Sequence, residues 1–136
     1  MGLAERRAAL EFETNALPAL KARIDKTAGF AIPMDIRWDT ISPVGESRLY
    51  AESWPAVYFE PLAIALESIA RDAMGKEALQ TGLKSVVIQN TRGVYYADTW
   101  ATFEGGALTL DHEPLTNAGD LQARADGLIK VLEAGL

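Results

Sequence analysis

His112 is the only histidine in the chain, and it stands between two carboxylates in the run ALTLDHE. An Asp-His-Glu triplet suggests two chemistries. One is general acid or base catalysis, because an imidazole changes charge near neutral pH. The other is coordination of a hard cation such as Mg²⁺ or Ca²⁺ by carboxylate oxygens, because with no cysteine and no second histidine any site would be dominated by carboxylates. Either requires side chains that converge, whereas neighbouring residues of a strand point to opposite faces.

Gly105-Gly106 sits where a tight primed turn would place its two positive-φ residues. That turn fixes a register in which Glu104 faces Ala107, Phe103 faces Leu108, Thr102 faces Thr109, Ala101 faces Leu110, Trp100 faces Asp111 and Thr99 faces His112. His112 then joins Ala101, Phe103, Leu108 and Leu110 on a face turned toward helices. Asp98, Trp100, Thr102, Glu104, Thr109, Asp111 and Glu113 share the other face. The triplet is therefore expected to disperse, with His112 a strand-end residue hydrogen-bonded to a helix or loop. Acid or base work by His112 ranks behind that reading, and no metal ligand is assigned.

The opposite face is the expected binding face, made of Asp98, Trp100, Thr102, Thr109, Asp111 and Glu113, with Arg37 extending it. Like charges facing one another across a ladder destabilise it unless something neutralises them. Arg37, a cation or a basic partner residue would do so. Tryptophan is enriched in interfaces, which makes Trp100 the expected anchor. The aromatic group Tyr50, Trp54, Tyr58 and Phe59 is better explained by packing of a helix start than by a ligand pocket. The sequence holds no Walker loop, dinucleotide-binding glycine pattern, HExxH or GxSxG, so no cofactor is expected.

Composition narrows the classes further. A chain of 136 residues, nearly half of them hydrophobic, can bury one ordinary core, so a single domain over residues 1–136 is expected. The net charge of −6 opposes nucleic-acid binding, and from Gly93 to Ala123 there are five acids and no base. The absence of cysteine excludes disulfides, thiolate zinc sites and cysteine nucleophiles. No stretch approaches the ~18 apolar residues of a membrane span, and the charged N-terminus lacks a secretory apolar run. A cytoplasmic protein with no membrane or nucleic-acid partner is the expectation.

The elements that must position these residues can also be read. Residues 1–28 read as helix, with Leu3, Leu10, Leu17 and Ile24 spaced by seven, a break near Thr14 and Asn15 because of Pro18, and Gly29 as the stop. Such spacing resembles a short coiled-coil seam, although intramolecular packing explains it better. AIPMDIRWDTI alternates like a strand covered on one side, and Pro33 places it at a sheet edge or at its own start. Residues 61–74 read as helix, 55–60 are ambiguous, Gly75 is a break, and a short helix follows to Gly82. KSVVIQN reads as a strand, TRG as a hairpin turn, 94–104 and 107–113 as two more strands, and the C-terminal stretch as a helix capped by Thr116 or Asn117, with Asp120 in its first turn.

The expected architecture is α+β, in the order α-β-α-α-β-β-β-α. A mostly antiparallel sheet of about four strands, one edge strand plus a three-strand meander, carries helices on one face. The expected function is a non-enzymatic interaction, regulatory or inhibitor-type module that presents its acidic, Trp-bearing sheet face to a protein partner or to itself. The alternative is a small-ligand or divalent-cation binding protein, or a weakly marked hydrolase, built on Asp98, Asp111 and Glu113.

Overall fold

A computed structural model describes residues 1–136. The first 28 residues form two helices, α1 (Leu3–Asn15) and α2 (Leu17–Ala28), which meet at Ala16. Pro18 lies in the first turn of α2, where its missing N–H has no intrahelical partner to lose. Gly29 ends α2 at φ +85°, its N–H donating to Asp25 O. The inward face of α1 is Glu5, Ala9 and Phe12, not the seven-residue leucine series: Leu3 is 53% and Leu10 62% exposed. Glu5 tolerates burial because its Oε1 accepts the Gly45 N–H at 3.0 Å.

Strand β1 (Met34–Ile36) is short and lies at the sheet edge, with Pro33 immediately before it. Residues 50–69 then form one continuous helical stretch, which starts well before the expected Pro61. It runs through α3 (Tyr50–Trp54), a π-helical turn (Pro55–Phe59) and α4 (Glu60–Ile69). The wide turn follows from proline chemistry. The Glu60 N–H reaches back five residues to Pro55 O. Residue 61 is the next donor, five beyond Ala56 and four beyond Val57, and Pro61 has no N–H to give either carbonyl. Helix α5 (Ala73–Gly82) begins with Asp72, whose Oδ1 accepts the Gly75 N–H at 2.8 Å. Gly75 sits inside its first turn because a Cβ there would overlap the Ile69 carbonyl.

The remaining strands are β2 (Ser85–Gln89), β3 (Ala101–Glu104) and β4 (Ala107–Asp111), followed by α6 (Leu121–Gly135). The Gly105-Gly106 hairpin has the expected register, from Glu104↔Ala107 to Ala101↔Leu110. The meander does not form. The sheet order is β1-β2-β4-β3, with β1, β2 and β4 mutually parallel and only β3 antiparallel to its neighbour. A mostly antiparallel sheet is thus overturned in favour of a mixed one. Residues 90–100 do not turn back as a hairpin at TRG; they carry the chain past the end of the sheet to the far edge. Burial accounts for the exchange of places. Leu108 and Leu110 of β4 are fully buried, as central positions require, whereas β3 exposes Thr102 and Glu104 and suits an edge. Segment 94–99, given above as strand, leaves Tyr95 and Tyr96 exposed and would have buried nothing in the middle of a sheet.

Helices cover one face of the sheet, with α4 packed between α2 and α6 and α6 lying on β3. One core of aliphatic and aromatic side chains fills the space between, including Trp54, Tyr58, Leu62, Leu66, Val86, Ile88 and Leu128. Helix α6 starts later than expected. Asn117 takes a left-handed φ of +54° instead of capping it, and Asp120 occupies the N-cap position. No helix is long and apolar enough to cross a membrane.

Candidate functional site

The uncovered face of the sheet is built from the alternate residues that the core does not take. One register row crosses all four strands as Asp35↔Val87↔Thr109↔Thr102, and Ser85↔Ala107↔Glu104 lies beside it. Asp35, Thr102 and Glu104 are exposed and Ser85, Val87, Ala107 and Thr109 half-buried. The surface is flat because the side chains in its middle are small or β-branched.

At the rim, where β1, β2 and β4 all end, a chain of polar contacts ties the strands together. Arg37 Nη1 donates to Gln89 Oε1 at 2.7 Å and Arg37 Nε lies 3.3 Å from Asp35 Oδ2. Gln89 Nε2 donates to Asp111 Oδ2 at 3.0 Å. Thr91 gives Asp111 both its N–H, at 2.9 Å, and its hydroxyl, at 2.6 Å, and Arg92 Nε lies 3.6 Å away. Burial alone would raise the Asp111 pKa, but the hydrogen bonds from Thr91 and Gln89 outweigh it and hold the carboxyl below its ordinary value. Asp111 is thereby committed to fastening the 90–92 turn to the end of β4. The like-charge pairing expected across the ladder does not arise, because Asp98 and Glu113 lie outside β3 and β4 and no two acids are paired.

Trp100 is placed differently from the expectation. The backbone pairing is as read, with the Asp111 N–H donating to Trp100 O at 2.9 Å, but β3 begins at Ala101 and the pleat does not extend back to residue 100. The indole is completely buried on the helix side. Its Nε1 donates to Arg124 O of α6 at 3.1 Å, and it meets His112 edge-on with ring centroids 5.8 Å apart. Gly127 makes room on α6, since a Cβ there would lie 3.4 Å from the indole nitrogen and 2.8 Å from Ala97 O. Trp100 is core and contributes nothing to the open face.

The other carboxylates also disperse. Asp98 is exposed in the crossing loop and lines a groove of about 550 Å³ against Asp126 and Lys130 of α6. Glu113 Oε2 accepts the Leu115 N–H at 2.9 Å and steadies the next turn. Asp98, Asp111 and Glu113 form no cation-binding group, nor does any other set of three or more carboxylate or imidazole side chains. Of the expected face, Thr102 and Thr109 lie opposite each other across β3 and β4, while Arg37 stands apart at the rim beside Gln89 and Asp35. Val87, Ser85 and Gln89 were missed, although the alternation of KSVVIQN already marked them as the faces of β2 opposite Val86 and Ile88.

His112 is fully buried on the helix side, as the register implied. Its Nδ1 lies 2.6 Å from Glu113 O, an acceptor only, so Nδ1 carries the proton. Nε2 has no partner, and Tyr58 donates its hydroxyl to His112 O at 2.6 Å. Burial pushes the Tyr58 phenol well above its ordinary pKa, keeping that donor in place. Burial likewise lowers the His112 pKa below 6.5, because a second N–H would be stranded without an acceptor. In the folded state the ring binds a proton less readily than in the unfolded chain, so stability is retained above pH 6.5 and lost as pH falls below it. Since His112 is the only histidine, the decline between about pH 6.5 and the carboxylate range belongs to it alone. Urea melts of the wild type are expected to show this slope and those of His112→Gln to lack it. A wild type flat down to about pH 5 would contradict the assignment.

Arg124 is the other buried group that the sequence did not disclose. It is fully buried on α6 with no carboxylate contact. Its guanidinium instead donates to four carbonyls: Val57 O at 3.1 Å, Ala56 O at 2.9 Å, Asn117 O at 2.6 Å and Ala118 O at 2.8 Å. Ala56 and Val57 are the two carbonyls that Pro61 leaves unserved. The signal was the pair Pro55 and Pro61 inside one apolar helical run. Comparison with known protein families, curated proteins and solved structures found no match to this chain.

Proposed function

We propose that the protein is a non-enzymatic interaction module, of the accessory or inhibitor type, that meets a protein partner with the uncovered face of its sheet. The observation that supports the reading is the one-sided layering: four strands carry helices on one face and offer Asp35, Val87, Thr109, Thr102, Ser85 and Glu104 on the other. The Asp111 carboxylate at the rim is spent on internal hydrogen bonds, and the His112 ring is completely buried. A net charge of −6 steers a basic partner toward the molecule over distances of a Debye length.

The test is the double variant Val87→Arg/Thr109→Arg, which places two long cations in the middle of the face. Its unfolding free energy is expected to stay within about 1 kcal/mol of wild type, since both side chains can reach water. Quantitative affinity capture with the two proteins as baits should show the protein retained by wild type falling at least about tenfold with the variant. Equal recovery of every retained protein by both baits would rule out this face as the contact.

A further inference from the structure

The edge formed by β1 is open and carries a self-complementary charge pattern. Val86 donates its N–H to Pro33 O, and Arg37 donates its N–H to Ile88 O, both at 2.9 Å. In a parallel ladder these bonds assign the amides of residues 33, 35 and 37 to the β2 side, so the N–H and C=O groups of Met34 and Ile36 point away from the sheet. Pro33 lies on the inward-bonding parity and blocks none of these outward groups. Common protections of an edge strand, an outward-blocking proline or a covering loop, are therefore not provided here by Pro33. Alongside the edge runs a groove of about 470 Å³ whose apolar lining, Leu17, Ile32, Met34, Ile36 and Trp38, is flanked by Glu13, Lys21 and Asp35. Leu10, 62% exposed, lies one helical turn before the groove residue Glu13.

We infer that this edge pairs with the same edge of a second copy, antiparallel and with its two-fold axis at Ile36. The side chains select both the partner and the register. With Ile36 opposite Ile36 of the second copy, Asp35 of each subunit faces Arg37 of the other on the open face, and the pairing ends there because Trp38 begins a 3-10 turn, Trp38–Thr40. The two Ile36 residues exchange a pair of backbone hydrogen bonds. Centring the axis on Asp35 instead would oppose two aspartates, which a ladder disfavours. Met34 and Ile36 of each copy, which line its own groove, then lie along the seam on the helix side. The product is a continuous sheet across two subunits with all helices on one side, an isologous contact of the commonest oligomer symmetry. The inference does not depend on the open-face reading, because it uses the rim of the sheet and not its middle.

The experiment measures mass in solution by sedimentation and native mass spectrometry over a concentration series, for wild type, Asp35→Arg, Arg37→Asp and an equimolar mixture of the two variants. Wild type is expected to be dimeric. Each single variant opposes like charges at both facing pairs, Arg with Arg or Asp with Asp, and should dimerise at least about tenfold more weakly. In the mixture the charges are complementary again, so a heterodimer of the two variants should re-form. Val87→Arg/Thr109→Arg should dimerise like wild type. A wild type that stays monomeric throughout, or a dimer indifferent to both charge reversals, would overturn the inference. Loss in the single variants without recovery in the mixture would overturn the register.

Discussion

Arg124→Met is expected to lower the unfolding free energy by at least about 3 kcal/mol, and with it Tm by roughly 10 °C. Methionine fills much of the arginine's volume, so the loss reads the hydrogen bonds more than a cavity. Four carbonyls lose the guanidinium at once, Ala56 O, Val57 O, Asn117 O and Ala118 O, of which Asn117 O keeps the Asp120 N–H at 3.0 Å. An acceptor left dry costs about 1–3 kcal/mol, and these four are not independent because one planar group serves them all. Lys at this position should recover little. An ammonium is a single point, whereas the guanidinium spans the π-helical turn on one side and the loop before α6 on the other. Burial lowers the Arg124 pKa, partly countered by Asp120 and Tyr58, yet an arginine stays charged at any working pH. Its charge is thus balanced by carbonyl dipoles, which is why the effect should persist at high salt. Urea denaturation of wild type, Arg124→Met, Arg124→Lys and the exposed control Gln122→Ala would check it. A loss under about 1 kcal/mol for the methionine variant would mean that water or relaxation of the helix serves these carbonyls equally well.

Trp100→Ala is expected to cost about 3–5 kcal/mol, the range for removing a large buried aromatic side chain. The indole is wholly enclosed by His112, the Arg124 carbonyl and the flat patch that Gly127 leaves on α6. Emptying that site unseats the crossing segment 90–100 from α6. Trp100→Phe should lose less, since it retains most of the apolar area and forfeits one hydrogen bond to a carbonyl in the first turn of α6. The prediction separates two placements of one residue. On the open face, where simple strand alternation puts it, Trp100→Ala would change stability by no more than about 0.5 kcal/mol and act only on binding. Chemical denaturation therefore decides the question without any knowledge of a partner, and a near-neutral variant would contradict the buried placement.

Much of the local structure was legible in the sequence because it depends on neighbours along the chain. Gly105-Gly106 dictated a two-residue turn, and the turn dictated the register of β3 with β4. Gly29 and Pro18 marked where helices end and begin, and Pro33 marked an edge strand or a strand start, both of which hold for β1. Alternation along 101–112 sent His112 and the two leucines toward the helices and Thr102 and Thr109 to the open face, so those residues of the candidate site could be read at once.

What failed to be legible depends on competition between distant segments. The same hairpin can sit beside β2 by either of its strands, and the turn does not choose. The choice falls to burial: β4 can be covered on its inner face by Leu108 and Leu110 in the centre of the sheet, while β3, with Thr102 and Glu104, tolerates the edge. Once β4 takes the centre, segment 90–100 must cross instead of turning back, and Trp100 leaves the pleat to dock on α6. Asp111 ceases to be a free carboxylate because the crossing loop brings Thr91 to it. Arg124 is drawn inside by carbonyls that Pro61, some sixty residues earlier, leaves without a donor. The sequence by itself thus determined turns, caps, faces and one register, all governed by short-range sterics and periodicity. Only the tertiary structure decided strand order, the burial of Trp100 and the partners of Asp111 and Arg124, because each of these minimises exposed apolar area or unpaired polar groups over the whole chain.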